Sequence, residues 1–293
     1  MASLNSTVRP RARLKKIARG VSVTRVPLSV GVVELFRFEG YAHAFPRHSH
    51  EQLTFGVFGA GNGRIRVRGA EWQAAQGSIL AIGPDEPHSA EPARGGGWTY
   101  RSFYPSPAVV AAALGTDSPG RPDRFAALAM TAFERPVIED PGLARSIDRL
   151  HRQLECGEAH PELEERLLIL IGKLVTRHGA RPPEMREDSA TGAVARARAF
   201  LEANPGAPIR LQDLSDVAGV SPFHLIRCFQ RKVGMPPHAW LTQVRANRAR
   251  GLLLAGEAPT SVAYRCGFSD QSHLTRTFRS MFGMTPGAYV RGV

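Results

Sequence analysis

The sequence predicts a two-domain α+β protein in which a β-rich N-terminal half with a helical hairpin precedes an all-α C-terminal domain. Three observations predict this organisation. Apolar residues follow strand-like patterns between residues 21 and 104 and take helical spacing from residue 108 onward. The last hundred residues contain an internal repeat. The net charge of +12 on the 293 residues is concentrated at the two ends of the chain.

The distribution of charge indicates different partners for different parts of the chain. Residues 1–20 carry six basic side chains and no acidic one, and residues 193–293 carry 13 basic against five acidic. Residues 21–192, with 19 basic against 21 acidic, are close to neutral. This asymmetry indicates a polyanion as the partner of the two ends. Residues 1–20 are polar and have no apolar period, which predicts a disordered basic arm.

The sequence predicts a cytoplasmic protein with no membrane partner. No apolar run reaches the roughly 18 residues of a membrane span, and the basic N-terminus lacks the apolar stretch of a signal peptide. The three cysteines, Cys156, Cys228 and Cys266, show no CxxC spacing. This excludes a disulfide framework and a cysteine-based zinc site, and it is typical of a reducing compartment.

Residues 21–107 are predicted to form a small β-barrel or sandwich. The runs 31–38 and 64–68 alternate in polarity or are rich in β-branched residues. Turn clusters at residues 59–63 and 83–85 separate such runs. Many short strands at close spacing are typical of barrels and sandwiches.

Residues 108–178 are predicted to form a helical hairpin. Leucine and isoleucine form one stripe from Leu143 to Leu154, and a second helix carries another stripe from Leu163 to Leu174. These stripes either pack against the barrel or form the seam of a homodimer. The sequence leaves both interpretations open, and we name the segment a dimerisation segment.

A polar, proline-rich linker is predicted at residues 179–192, and residues 193–293 then repeat at an offset of 49. His224, Leu225, Arg227, Phe229, Gly234, Met235, Pro237 and Ala239 recur as His273, Leu274, Arg276, Phe278, Gly283, Met284, Pro286 and Ala288. Each copy has the pattern helix, glycine turn, helix, with Ser221 or Ser269 expected to cap the second helix. This is helix-turn-helix geometry, in which the second helix lies in the major groove of DNA.

The outward faces of these second helices carry the candidate DNA contacts. They are Phe223, His224, Arg227 and Arg231 in the first copy, and Gln271, Ser272, His273 and Arg276 in the second. Arginine pairs bidentately with guanine and glutamine with adenine, whereas Arg231, near a helix end, suits a phosphate. The alternatives are that a basic face is merely solvated and that the histidines are core or cap residues. Two copies in one basic domain favour double-stranded DNA as the partner.

Residues 193–293 resemble the DNA-binding domain of the AraC/XylS family of bacterial transcription regulators. The resemblance is carried by Leu211-Gln-Asp-Leu214, Val217-Ala-Gly-Val-Ser-Pro222, Cys266-Gly-Phe-Ser-Asp-Gln-Ser-His-Leu274 and Phe282-Gly-Met-Thr-Pro286. It implies a sequence-specific regulator, typically an activator, that meets promoter DNA and RNA polymerase. The family's base-reading positions fall here on Phe223, Arg227, Gln271, Ser272, His273 and Arg276.

Three histidines indicate a second site in the N-terminal half. His48 and His50 lie two residues apart on a predicted strand and project from one face, and His88 follows after a turn. With residues 77–88 this pattern resembles a cupin barrel, the sensing domain of many AraC-type regulators. In metal-binding cupins a glutamate follows the second histidine by four residues, and Thr54 stands there instead.

We therefore expect a metal-free effector pocket in which His48, His50 and His88 are polar anchors for a small molecule. Tyr100 is a further lining candidate, and Arg37 is a candidate partner for an anionic effector. Three neutral imidazoles can also hold zinc or iron, or have a purely structural role. The main prediction is a homodimeric, effector-responsive regulator that is not an enzyme and has no resident cofactor. The alternative is a cupin metalloenzyme fused to a DNA-binding domain.

Overall fold

A computed structural model of the chain describes residues 20–93, 96–115, 132–157, 161–180 and 189–292. The predicted basic arm, apart from its last residue, lies outside the described residues. So does most of the predicted linker.

Ten β-strands in the described residues form two antiparallel sheets. The strands are β1 Gly20–Leu28, β2 Gly31–Tyr41, β3 Phe45–His48, β4 Thr54–Ala60, β5 Gly63–Val67, β6 Ala70–Ala74, β7 Ile79–Ile82, β8 His88–Pro92, β9 Trp98–Pro105 and β10 Val137–Ile138. The larger sheet has the order β1-β2-β9-β4-β7-β10, and the smaller has the order β3-β8-β5-β6.

The two sheets enclose an apolar interior, as the barrel prediction requires. Phe36 and Phe38 of β2 share this interior with Ile65 of β5. Because side chains alternate along a strand, Val33 and Leu35 of β2 face the other way, toward helices. Both faces of β2 are therefore buried, and its apolar residues are nearly continuous.

The helical hairpin covers the outer face of the larger sheet. Helix α1 is Pro107–Ala113, α2 is Pro141–Glu155 and α3 is Pro161–His178. Asp140 caps α2 by accepting the Leu143 N–H at 2.9 Å. The predicted stripe of α2, from Leu143 to Leu154, is at most 4% exposed and packs in one core with the sheet. The stripe is therefore buried by contacts within the same chain.

Seven helices of the described residues form the C-terminal domain. They are α4 Ser189–Ala203, α5 Leu211–Ala218, α6 Pro222–Val233, α7 Pro237–Leu254, α8 Pro259–Arg265, α9 Gln271–Phe282 and α10 Pro286–Gly292. Helices α5 and α6 form the first helix-turn-helix, α8 and α9 form the second, and α7 connects them. Helix α4 begins inside the stretch that the sequence assigned to the linker. No helix of the described residues is long and apolar enough to cross a membrane.

The caps of the two second helices differ. Ser221 caps α6 as predicted, accepting the His224 N–H at 3.4 Å. The prediction that Ser269 caps α9 is wrong, because Asp270 is the cap and accepts the His273 N–H at 2.7 Å. Both residue types are good caps, and the carboxylate also interacts favourably with the positive helix N-terminus.

The two helix-turn-helix units differ in how they are anchored. The first has a core of its own, in which Leu225 and Phe229 pack with residues of α4, α5 and α7. The second shares one continuous core with the barrel interior, through Leu274, Phe278 and Phe282 of α9 among others. The second unit is therefore built onto the mouth of the barrel.

Polar contacts also join the two domains. The Ser49 N–H donates to Gln243 Oε1 at 2.7 Å, and Gln243 Nε2 donates to Ser49 Oγ at 2.7 Å. The Tyr289 hydroxyl donates to Glu34 Oε1 at 2.7 Å. These pairs are buried, so separation of the domains would have to hydrate or re-pair each group.

Candidate functional site

A cavity lies inside the barrel, at the end that meets the C-terminal domain. The cavity volume is about 50 Å³. Aromatic side chains make up much of the wall, among them Phe36, Phe38, Phe58 and Trp98. Apolar clefts with a few polar groups are typical binding sites for small molecules.

The three predicted histidines come together in the wall of this cavity. His48 ends β3 and is paired with His88 at the start of β8. The ring centroids of His48, His50 and His88 lie 4.4 to 5.0 Å apart. The expectation that His50 shares a strand with His48 is wrong, since β3 ends at His48 and the following loop brings His50 to the pair.

Burial keeps these imidazoles neutral near pH 7. It lowers the pKa of His48 to about 3 and that of His88 to about 4, and it lowers the pKa of His50 well below 6.5. Nδ1 of His48 lies 2.7 Å from the Pro46 carbonyl oxygen, and Nδ1 of His88 lies 2.9 Å from that of Glu86. Because a carbonyl oxygen can only accept, we assign the proton to Nδ1 of both rings, which leaves each Nε2 as an acceptor.

The triad meets part of the requirement for a metal site. Its candidate ligand atoms all lie within 4.8 Å of one another. Neutral imidazoles whose other nitrogen is held by a carbonyl are the donor type that zinc and iron accept. The glutamate of metal-binding cupins is replaced by Thr54, which lines the same cavity. The site therefore offers three metal ligands and lacks that carboxylate.

Of the two other predicted effector residues, the structure brings one to the cavity. Tyr100 lines it, and the Tyr100 hydroxyl is buried without a hydrogen-bond partner among the described residues. Burial raises the pKa of Tyr100 well above 10, so this hydroxyl is neutral and can donate. The expectation that Arg37 reaches the cavity is wrong. Arg37 lies on the outer face of β2, where its guanidinium pairs with Glu155 at 3.0 Å.

The C-terminal domain supplies the roof of the cavity, which sequence reasoning missed. Arg250 of α7 and Met281 and Phe282 of α9 line the same space as the histidines. The Arg250 guanidinium lies 5.5 Å from the centre of the Phe282 ring, and one of its nitrogens donates to Gln52 at 3.3 Å. No signal within the C-terminal sequence distinguishes Arg250 from its basic neighbours, because only the docking of the two domains brings it here.

The first helix-turn-helix presents its predicted residues on the outside of α6. Phe223 is 70% exposed, and the Arg227 guanidinium lies 5.6 Å from the centre of its ring. His224 and Arg231 are also exposed, and they contact the Cys228 sulfur at 3.2 and 3.6 Å. Their spacing places the four residues along one side of the helix.

The second helix-turn-helix presents a different set on α9. Gln271, Ser272 and Arg276 are exposed, and His273 is partly buried. The Gln271 side chain accepts a hydrogen bond from Thr260 of α8 at 2.9 Å, which holds it at the start of α9. The two exposed faces thus differ in chemistry, as two readers of different DNA segments would.

Family models match both parts of the chain. The model of the AraC-like ligand-binding domain matches residues 30–171, and the model of a helix-turn-helix domain matches residues 214–292. The chain belongs to the AraC/XylS family of transcriptional regulators. The first match of this AraC-family regulator covers most of the barrel and much of the hairpin, and the second covers both helix-turn-helix units.

The curated relatives are transcriptional regulators of the helix-turn-helix type. YbfI of Bacillus subtilis, an uncharacterized HTH-type transcriptional regulator, is 28% identical over 249 residues, which cover 83% of this chain and 86% of the relative. The transcriptional activator RhaS of Escherichia coli is 28% identical over 179 residues, or 56% of this chain and 64% of RhaS. The protein is therefore a DNA-binding transcriptional regulator with a ligand-binding domain.

Solved structures with the same fold include ToxT of Vibrio cholerae. An apo ToxT variant covers 90% of this chain and 98% of its own, with a TM-score of 0.58 and 11% identity. ToxT with a bound unsaturated fatty acid covers 89% of this chain and 95% of its own, with a TM-score of 0.55 and 11% identity. At this identity the likeness shows the fold, and it confirms the predicted two-domain α+β architecture.

Proposed function

We propose that this regulator reads two consecutive major-groove segments of promoter DNA and changes its occupancy of the promoter when a small molecule fills the barrel cavity. The roof of the cavity carries the proposal. Met281 and Phe282 close the space in which an effector would lie, and they belong to the same helix as Gln271 and Arg276. A ligand that changes the packing of this roof acts directly on a reading helix. The regulator acts in the cytoplasm, as an activator that contacts RNA polymerase.

The exposed faces of α6 and α9 contact the DNA. The proposed contacts are Phe223, His224, Arg227, Arg231, Gln271, Ser272, His273 and Arg276. Arg227, Gln271 and Arg276 suit base edges, because their side chains can make paired hydrogen bonds with guanine or adenine. Arg231, in the last turn of α6, suits a phosphate. The net positive charge of the domain adds a salt-dependent attraction to the phosphate backbone.

Binding to selected DNA tests this assignment. Duplexes are first enriched from a random library with the wild-type protein, and affinities are then measured at several salt concentrations. Changing Arg227 and Arg276 together to alanine should lower the affinity for the selected sequence by about 30-fold or more, from roughly 1–3 kcal/mol per base-reading arginine. The matched control is Arg152→Ala, an exposed arginine on α2. Unchanged binding by the double variant would count against these readers.

The effector is held by His48, His50, His88 and Tyr100, with its apolar part along the aromatic wall. Three neutral rings, with an acceptor Nε2 assigned on His48 and His88, and a Tyr100 hydroxyl without a partner among the described residues are the groups that a polar end of the ligand would satisfy. The fatty acid in the ToxT structure supports an effector with a substantial apolar part. A thermal-shift screen of apolar alcohols and acids tests the site, and hits should disappear in the cavity-filling variant Ala90→Leu. A hit that survives this substitution binds elsewhere.

The three histidines serve the effector, and the protein is not a metalloenzyme. The absence of the cupin glutamate at Thr54 supports this choice over the fused-enzyme alternative. Elemental analysis of untagged protein tests it, and zinc and iron are expected well below one ion per chain. Stoichiometric metal that is lost in His48→Ala would favour the enzyme alternative.

The regulator acts as a homodimer, with the outer face of the hairpin as the contact. Ile169 of α3 is 47% exposed and lies in a surface groove between α2 and α3. Since the stripe of α2 is occupied within the chain, this outer face is the part of the hairpin that can meet a second copy. Basic residues, among them Arg145, Arg149 and Lys173, line the same groove.

A further inference from the structure

The outer face of the helical hairpin carries a groove that lies apart from the barrel cavity and from both helix-turn-helix units. It runs between α2 and α3 and has a volume of about 670 Å³, which is within the range of small-molecule sites. Its walls are basic, and the cations that line it are Arg145, Arg149, Arg166, Lys173 and Arg177. Among the described residues, no acidic side chain lines this groove.

This concentration of positive charge contrasts with the rest of the N-terminal half. Residues 21–192 as a whole carry 19 basic against 21 acidic side chains, so the half is close to neutral. On the barrel surface, Arg64 and Arg66 share the carboxylates of Glu71 and Glu91. The groove therefore collects cations that are elsewhere balanced by neighbouring acids.

Two of the five cations have a carboxylate within reach. The Arg166 guanidinium lies 3.6 Å from Glu162, whose side chain is 80% exposed. The Arg177 guanidinium lies 3.3 Å from Asp140, which also caps α2 and lies 3.3 Å from His178. Exposed ion pairs are weak, so these two carboxylates neutralise the groove only in part.

The other three cations have no ion-pair partner among the described residues. They are Arg145, Arg149 and Lys173. The nearby acids of the hairpin do not serve them, because Asp148 pairs with Arg101 on the sheet side and the exposed Glu165 does not line the groove. Side chains four residues apart on a helix lie about 5–6 Å apart at Cβ, and packed helices lie about 8–10 Å apart. One small anion can therefore contact cations from both walls.

We propose that this groove binds an organic diphosphate and that the bound ligand stabilises the dimer of the regulator. The inference goes beyond the proposed effector site, and its second half rests on the proposed dimer contact at this face. The planar fork of arginine suits phosphate oxygens. A phosphate monoester carries about two negative charges near neutral pH, so three unpaired cations call for a second phosphate group.

The floor of the groove accounts for the organic part of the ligand. Leu143, Leu150 and Leu170 line it, and Ile169 is 47% exposed. Covering apolar surface of this kind adds to the affinity of a ligand. Gln153 also lines the groove and offers both a hydrogen-bond donor and an acceptor. The organic part therefore lies on the apolar floor, and the diphosphate lies between the basic walls.

The effect on the dimer follows from the position of the groove. When two copies meet through this face, their unpaired cations come together and repel one another. A diphosphate between the copies replaces this repulsion by attraction, because its charges face cations of both. The ligand therefore binds the dimer more tightly than the monomer and shifts the population toward the dimer.

Calorimetry and sedimentation velocity test the inference on the full-length protein, at equal ionic strength and without divalent cations. The probes are ADP and geranyl diphosphate, with inorganic pyrophosphate as the ligand that lacks an organic part. At least one organic diphosphate should bind about tenfold or more tightly than pyrophosphate and should raise the fraction of dimer above that in sodium chloride alone. The tighter of the two probes distinguishes a flat organic part from an aliphatic one.

The double variant Arg145→Gln, Arg149→Gln gives the sharpest result, because its two readouts move in opposite directions. Its affinity for the diphosphate should fall about tenfold or more through loss of charge-assisted contacts. Its ligand-free dimer should be more stable than that of the wild type, because repelling charges have been removed. A variant with a damaged hairpin would lose the dimer instead. The matched control is Arg64→Gln, Arg66→Gln on the barrel, which should behave like the wild type.

A further control places the ligand outside the barrel. The variant Ala90→Leu fills the barrel cavity and should bind the diphosphate as the wild type does. The inference is overturned if neither organic diphosphate binds more tightly than pyrophosphate, or if the double variant binds as tightly as the wild type. It is also overturned if the bound ligand leaves the fraction of dimer unchanged or lowers it.

The variant Ile169→Glu separates a failure of the inference from a failure of the proposed dimer contact. Ligand-free association that is insensitive to this substitution contradicts the dimer contact. Association that depends on Ile169 but does not respond to the bound diphosphate contradicts the inference alone. None of these readouts uses DNA or the barrel effector, so a failure of those proposals leaves the inference intact.

Discussion

Acidification should destabilise this protein steeply, because several buried histidines are neutral in the folded state. The pKa of His48 is lowered to about 3, that of His88 to about 4 and that of His151 to about 3, in each case mainly by burial. The unfolded chain takes up protons at these sites near pH 6.5. Between pH 6.5 and the folded pKa the unfolded state binds more protons, so stability is present above pH 6.5 and is lost as the pH falls.

The magnitude follows from the same values. From about pH 7.0 to about pH 5.5, each such histidine favours the unfolded state by about 1 kcal/mol. His48, His88 and His151 together cost roughly 3–4 kcal/mol, which is large beside a typical stability of roughly 5–15 kcal/mol. The pKa of His50 is lowered in the same direction. The three rings are at most 4% exposed, so solvent screening reduces this figure little.

Urea unfolding at a series of pH values measures the effect. The free energy of unfolding should fall below pH 6.5, and His151→Gln should remove about 1 kcal/mol of the fall between about pH 7.0 and about pH 5.5. His151 lies under the hairpin, with Nε2 3.2 Å from the Phe36 carbonyl oxygen, so this variant leaves the cavity untouched. The control is His238→Gln on the exposed side of α7. A stability that is flat from pH 7.0 to 5.5 would refute the reasoning.

Three further outcomes are expected. Asp270→Ala should lower the free energy of unfolding through loss of the α9 cap, measured by urea unfolding, whereas Ser269→Ala should change it little. The reverse order would restore Ser269 as the cap. Gln243→Ala should cost about 1–3 kcal/mol, because it leaves the buried Ser49 amide without its acceptor, and faster hydrogen exchange at that amide checks it. Ile169→Glu should weaken self-association in sedimentation experiments. Wild-type dimers should become more stable as salt screens the repulsion between the two basic grooves. Dimers that dissociate as salt is added would contradict the proposal that this face is the dimer contact.

Local patterns in the sequence predicted the parts of the fold that are held by local interactions. The end of α6 at Gly234 and the end of α9 at Gly283 follow from glycines in the left-handed conformation, with φ of 80° and 76°. The sequence predicts the apolar stripe of α2 but leaves open which surface covers it. Periodicity shows that a face is apolar but does not show whether a sheet of the same chain or a second chain covers it.

The wrong prediction for Arg37 and the missed position of Arg250 also arise because local patterns do not show what a side chain packs against. On β2 both faces are buried, so the apolar residues on either side of Arg37 give no information about which way its side chain points. Only the structure shows which way the polar side chains of β2 point. Glu34 faces the C-terminal domain, whereas Arg37 faces α2. The sequence does not predict that Arg250 lies in the cavity wall, because that position depends on docking between residues about two hundred positions apart.

The unequal anchoring of the two helix-turn-helix units has a mechanistic consequence. The first unit keeps its own core when the domains separate, whereas the second must expose apolar surface that it now shares with the barrel, including parts of Met281 and Phe282. Under the proposed function, an effector in the cavity should therefore act more strongly on the second helix-turn-helix unit than on the first. The part of the DNA site read by Arg227 should contribute similar affinity with and without effector, and the part read by Gln271 and Arg276 should carry most of the response. The regulator can then stay on its promoter through one unit while the other responds to the ligand.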